Sequence, residues 1–184
     1  MNAPAEAAPE TILSFWRDAG EKRWWPKDDR FDREIETRFH QVWGDAAQRK
    51  YAHWQDSDDG ALALVIVLDQ FPRNMFRGDA RSFSTDPMAL EVANRAIAAG
   101  ADGRVAQDLR QFLYMPFMHS EHLADQERCV VLFEQLGDAN NLNYAHVHAD
   151  IIRQFGRFPH RNRMLGRTTT PAEQAFLDSG GFSG

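Results

Sequence analysis

ALALVIVLDQFPRNMFR, residues 61–77, is the stretch whose reading decides the fold. Its first eight residues, Ala61 to Leu68, are all apolar. A segment apolar on every side is buried on every side. Val65-Ile66-Val67 alone would suit a strand, but a strand needs partners and the chain offers no second convincing one. The stretch therefore reads as a central buried helix. It ends in Asp69 and Gln70, then Phe71-Pro72, then Arg73, Asn74 and Arg77. The most buried element thus delivers a carboxylate, two amides and two guanidinium groups to one turn. A second turn echoes it: Ile151-Ile152 leads into Arg153-Gln154-Phe155-Gly156-Arg157-Phe158-Pro159-His160-Arg161-Asn162.

Outward from this stretch, the periods are helical. Phe31, Ile35, Phe39, Val42, Trp43, Ala46, Ala47, Tyr51 and Trp54 recur at steps of three and four. They predict one long amphipathic helix that Gly44 would bend or split. Pro9 and Glu10 open a short helix that Gly20 stops. Ser57-Asp58-Asp59-Gly60 reads as a loop that caps the central helix. Thr85-Asp86-Pro87 starts a helix ending at Gly100. Gln107 to Tyr114 reads as a short helix closed by Pro116, Phe117 to Leu136 as one long helix, and Asn140 to Phe155 as another, stopped by Gly156. Thr170-Pro171-Ala172-Glu173 is a capping box opening a helix to Leu177. The sum is roughly eight helices and no sheet, an all-α protein. A single domain is expected over 1–184, with loose tails at 1–9 and 179–184.

At 184 residues, 43% hydrophobic and 26% charged, the composition is that of a soluble globular protein. The net charge of -6 speaks against nucleic-acid or anionic-membrane partners. Between Asp150 and Arg167, however, Arg153, Arg157, Arg161, Arg163 and Arg167 face one acid. Such a patch fits a small anion or a short acidic peptide; the plain alternative is a solvated face paired with acids elsewhere. The single Cys129 excludes an internal disulfide and the usual cysteine zinc sites. Lying in an apolar run, it reads as a buried, inert thiol. No signal peptide is visible and no apolar run approaches the ~20 residues of a membrane span, so a cytoplasmic location is expected.

Two sets of residues carry possible chemistry. Arginine offers a rigid fork suited to carboxylate or phosphate. Asp69 is expensive to bury unless paired, so it either orients a ligand or pairs with an arginine of the other turn and locks two helices together. His119 and His148 lie on apolar faces, as satisfied core histidines or as functional ones. His119 and His122 open the helix after Pro116 but diverge by about 60°, and no zinc motif matches. Neither a metal nor a cofactor is expected. His160, inside the basic turn, would add positive charge at mildly acidic pH. There is no G-x-S-x-G elbow, P-loop or G-x-G-x-x-G. Ser120 beside His119 makes no dyad, because neighbouring helix positions point apart.

Asp69-Gln70-Phe71-Pro72-Arg73-Asn74, Tyr114-Met115-Pro116-Phe117, His119-Ser120-Glu121, Asp125-Gln126, Phe155-Gly156-Arg157-Phe158-Pro159-His160-Arg161-Asn162 and Leu165-Gly166-Arg167 together resemble the bacterial domain of unknown function family 924. The likeness runs from Ile12 to Phe176. It implies an all-helical, tetratricopeptide-like fold and no established activity, substrate or cofactor. The family's recurrent polar positions fall on Asp69, Gln70, Arg73, Asn74, His119, Ser120, Glu121 and Gln126, and on Arg157, His160, Arg161 and Asn162. Met118 stands where the family pattern has an acid, and Thr168 and Thr169 also depart from it.

The leading expectation is a binding protein for a small anionic or carboxylate-bearing ligand, with the two turns meeting in space. Arg73, Arg157 and Arg161 would hold the anion, and Asp69, Asn74 and Asn162 would orient it. His119 and His148 would line the wall, with Gln70, Arg77, Tyr114, Ser120, Gln126, His160 and Arg167 completing the site. A second expectation is a hydrolase-like enzyme with His119 or His148 as general base and Asp69 or Glu121 orienting it. A third, by fold analogy alone, is a peptide-binding scaffold.

Overall fold

The structure, a computed structural model, describes residues 7–182. Among them every regular element is helical. The order is α1 (Pro9–Ala19), α2 (Glu21–Trp24), α3 (Asp29–Ala47), α4 (Asp58–Val65), α5 (Phe71–Met75), α6 (Asp86–Ala98), α7 (Met115–His119), α8 (Leu123–Leu136), α9 (Ala139–Phe155) and α10 (Pro171–Asp178), with short 3-10 turns between. The chain divides into two compact units: Met1–Arg77 with Arg81–Pro116, and Gly78–Ala80 with Phe117–Gly184.

In the first unit Ala61 to Leu68 are buried, as the all-round apolarity requires. Ser57 caps α4, its Oγ accepting the Gly60 amide at 3.1 Å. Glycine is obligatory at 60, because a Cβ would lie 2.1 Å from the Trp54 carbonyl oxygen. The expected turn at Phe71-Pro72 is not a turn. The chain passes from α4 through a π-helical turn, Ile66–Gln70, straight into α5. Proline has no N–H, so the Leu68 carbonyl four residues back loses its partner. The wide turn absorbs this: the Phe71 amide reaches Ile66, and the Thr85 hydroxyl donates to the Leu68 carbonyl at 2.5 Å. Thr85 in turn accepts the Trp43 indole N–H at 3.2 Å. Sited at the N-cap of α6, its hydroxyl serves the π turn instead.

Three helix boundaries also differ from expectation. α3 stops at Ala47 rather than running to Trp54, and Gly44 does not interrupt it. Arg49 adopts φ 61°, which ends the helix, and Tyr51 and Trp54 stack on each other at 4.8 Å beyond it. Residues 107–114 hold only a 3-10 turn, Arg110–Leu113, and Pro116 lies inside α7. The expected helix Phe117 to Leu136 is broken at residues 120–122. The buried Gln126 amide donates to the carbonyls of Phe117, Met118 and Ser120 at 3.2, 2.7 and 2.7 Å, collecting the open end of α7. The Ser120 hydroxyl accepts the His122 amide and donates to Asp125 at 2.6 Å, starting α8. One interior amide and one hydroxyl thus stabilise a break that periodicity hides.

Trp16, Phe31, Phe71 and Phe112 meet ring to ring in the first core. In the second unit α8 packs along α9, burying Phe117, Cys129, Phe133, Ala145, Ala149 and Phe158. Burial pushes the Cys129 thiol up to about 12, so it is the inert thiol expected. No helix among the described residues is long and apolar enough to cross a membrane.

Candidate functional site

The first turn is densely paired. Arg73 forks onto Asp86 at 2.8 and 2.9 Å, donates to the Asp69 carbonyl at 2.7 Å and lies 3.3 Å from the Asp69 carboxylate. Gln70 donates to that carboxylate at 2.6 Å. Asn74 and Arg77 converge on Asp32, at 2.8 Å and at 2.5 and 3.1 Å. The π turn explains the cluster: it brings Asp69, Gln70 and Arg73 round to one side, where α6 presents Asp86. Such forks are the strong geometry for an arginine. Tyr114 is engaged elsewhere in this unit, donating to Asp102 at 2.9 Å. Burial and that carboxylate raise its phenol well above the ordinary range. A cleft of about 570 Å³ runs between α1 and α3. Its Arg23 and Arg38 both reach Glu34 and lie over Phe31 and Phe15.

In the second unit the arginines also find acids. Arg157 forks onto Glu173 at 2.6 and 2.9 Å and donates to the Thr168 carbonyl at 2.8 Å. Glu173 closes the Thr170 capping box as well. The Arg157 fork, the Thr170 amide and hydroxyl, and Asn162 hold its carboxyl down at about 2, against burial. Arg167 forks onto Glu121 at 2.7 and 3.0 Å, and also donates to the Asn162 side chain and the Phe158 carbonyl. Glu121 accepts the Phe158 amide at 2.8 Å. Burial works to raise its pKa, yet Arg167 and that amide keep it below the usual range. Arg161 is buried, its guanidinium 4.5 Å over the Phe158 ring.

His148 and His160 lie side by side beside these pairs, with the Phe158 ring against both. The buried His148 ring has Nδ1 2.8 Å from the Tyr144 carbonyl. That contact puts a proton on Nδ1, because a carbonyl can only accept. The His160 Nδ1 is buried and has no hydrogen-bond partner among the described residues. Burial first, then Arg161, His148 and Arg167, push the His160 pKa down to about 4, with Glu121 pulling the other way. The expectation that His160 adds positive charge at mildly acidic pH is therefore corrected: the ring stays neutral until about pH 4. Phe158 lies against both imidazoles, at 5.3 and 5.6 Å, and so does Phe182, at 4.4 and 5.3 Å.

Of the predicted site residues, Asp69, Gln70, Arg73, Asn74 and Arg77 cluster in the first unit with Asp86 and Asp32. Arg157, Asn162 and Arg167 cluster in the second with Glu121 and Glu173, beside His148, His160 and Arg161. Ser120 and Gln126 serve the α7–α8 break, and His119 ends α7, half-buried. Among the described residues no group of three His, Cys, Asp or Glu could hold a metal ion. Sequence reasoning missed Asp32, Asp86 and Glu173 as partners of the arginines. Only Glu173 left a signal, as the third helical residue of a capping box. It also missed Phe182, which lies in a glycine-rich tail.

Comparison with known proteins agrees with this architecture. The profile of a bacterial protein of unknown function, DUF924, matches residues 12–181. A solved structure of a protein of unknown function, ATU0120 from Agrobacterium tumefaciens, is 43% identical, covers 96% of this chain and 100% of its own, and superposes with a TM-score of 0.91. No curated protein matches. On this match over nearly its whole length, the chain belongs to the bacterial DUF924 family.

Proposed function

We propose that this protein binds a small carboxylate- or other anion-bearing ligand in its second unit, at the His148–His160 cluster. The observation that carries the reading is the buried, unpartnered Nδ1 of His160. A buried polar atom without a partner costs roughly 1–3 kcal/mol, and such an atom in a native fold calls for an explanation. His160 is neutral at pH 7 and lies in positive potential chiefly from Arg161, which Glu121 partly opposes. A neutral imidazole N–H facing an anion satisfies the nitrogen and the local field together. The paired arginines then supply field and rigidity rather than direct contacts.

The hydrolytic reading finds less support. Glu121 is engaged by Arg167 and the Phe158 amide, and Ser120 by Asp125, so neither stands ready as orienter or nucleophile. The test is thermal melting with acetate and inorganic phosphate, on wild type and His160→Gln. A ligand at ~100 times its dissociation constant adds about 2.7 kcal/mol, a readable rise in melting temperature. The reading predicts that rise in wild type and its loss in His160→Gln, with the ligand-free melting temperature nearly unchanged. An equal rise in both proteins would refute it.

A further inference from the structure

The segment after α10 returns to the same cluster. The Gly181 amide donates to the Phe176 carbonyl at 3.0 Å and the Gly180 amide to the Leu177 carbonyl at 3.2 Å, with Gly180 at φ 83°. This pair of bonds with a left-handed glycine is a Schellman closure. Position 181 leaves no room for a side chain: a Cβ would lie 2.6 Å from both the ring and the carbonyl oxygen of Phe176. Phe176 itself packs on Phe155 at 5.2 Å. The two glycines thus turn the chain tightly across a fixed ring and set Phe182 against both imidazoles, 4.4 Å from His148 and 5.3 Å from His160.

Phe182 brings a six-membered ring and no acceptor. The His160 nitrogen still lacks its partner with the ring in place, in a field that favours negative charge. A molecule joining an aromatic ring to a carboxylate would supply both at once. Resting on the anion-binding reading above, we infer that the ligand class is an aryl carboxylate, and that Phe182 occupies the ring subsite and leaves when the ligand enters. The glycine closure makes this exchange easy, because Phe182 follows the last hydrogen bond among the described residues and is only partly buried.

Calorimetry with acetate, benzoate and phenylacetate tests this on wild type, Phe182→Ala, Gly181→Ala and His160→Gln. Benzoate should bind wild type more tightly than acetate. Phe182→Ala should tighten benzoate about threefold to tenfold, the weight of the aromatic contacts the tail gives up, and leave acetate unchanged. Gly181→Ala, which displaces the segment by its clash with Phe176, should behave like Phe182→Ala, while circular dichroism confirms that both variants fold. Benzoate no tighter than acetate, or unaffected or weakened by Phe182→Ala, would overturn the inference. If acetate binding is nevertheless lost in His160→Gln, the anion reading survives alone. If no carboxylate binds any of the four proteins, both fall.

Discussion

Replacing Arg157 with alanine should destabilise the second unit by at most about 3 kcal/mol at neutral pH. Glu173 is 3% exposed and receives the Arg157 fork at 2.6 and 2.9 Å and the Thr170 amide at 2.7 Å. Its carboxyl titrates at about 2, against an ordinary value of 4.5, and the Arg157 bond is the largest cause. That gap is worth ~3 kcal/mol at 1.36 kcal/mol per pH unit. It is an upper figure, because the Arg157 side chain is 28% exposed to screening solvent. The sign follows from the depressed value. The stabilisation is full above pH 4.5, falls as the pH drops, and is gone near pH 2. All five tryptophans lie before residue 55, so urea unfolding is followed by far-ultraviolet circular dichroism. Wild type and Arg157→Ala should differ by up to ~3 kcal/mol at pH 7 and converge between pH 4.5 and 2. Glu173→Gln in the Arg157→Ala background should recover much of the loss, since the stranded charge is removed. A cost below about 0.5 kcal/mol, the scale of a solvated pair, or a difference undiminished at pH 2, would refute the reasoning.

Two further predictions address other joints. Thr85→Val removes the donor to the Leu68 carbonyl and should cost about 1–3 kcal/mol, read by tryptophan fluorescence during urea unfolding; a change within a few tenths would show that the π turn needs no such bond. The lowered pKa of His160 means that its contribution to stability is complete above pH 6.5 and lost as the pH falls towards about 4. His160→Gln should flatten the stability profile across that window, and an unaltered profile would contradict the neutral buried ring.

What the sequence reveals follows from how local each cause is. Ala61 to Leu68 announce burial by their own composition, and the loop at 57–60 and Thr170 announce their helices by capping. The π turn is not local in this sense. Pro72 tells of a missing N–H, but the repair comes from Thr85, thirteen residues on. The break at residues 120–122 is invisible to periodicity because Gln126 stabilises it from inside the next helix. The arginine turns are legible as arginines; their partners Asp32, Asp86 and Glu173 are chosen by tertiary packing. Phe182 reads as part of a loose tail, since Gly180-Gly181 signal flexibility until the Schellman bonds show what they shape. His160 illustrates the remaining gap: its residue type suggests a charge, and burial among arginines removes it.

The most direct measurement is the long-range proton–nitrogen correlation spectrum of the histidine rings, recorded while benzoate is titrated into the protein. The account predicts that the His160 ring nitrogens shift saturably, with the dissociation constant found by calorimetry, and that the His40 and His53 rings stay where they were. His160 resonances that do not move at saturating benzoate, or that move no more than those of His40, would contradict the claim that this imidazole receives the ligand.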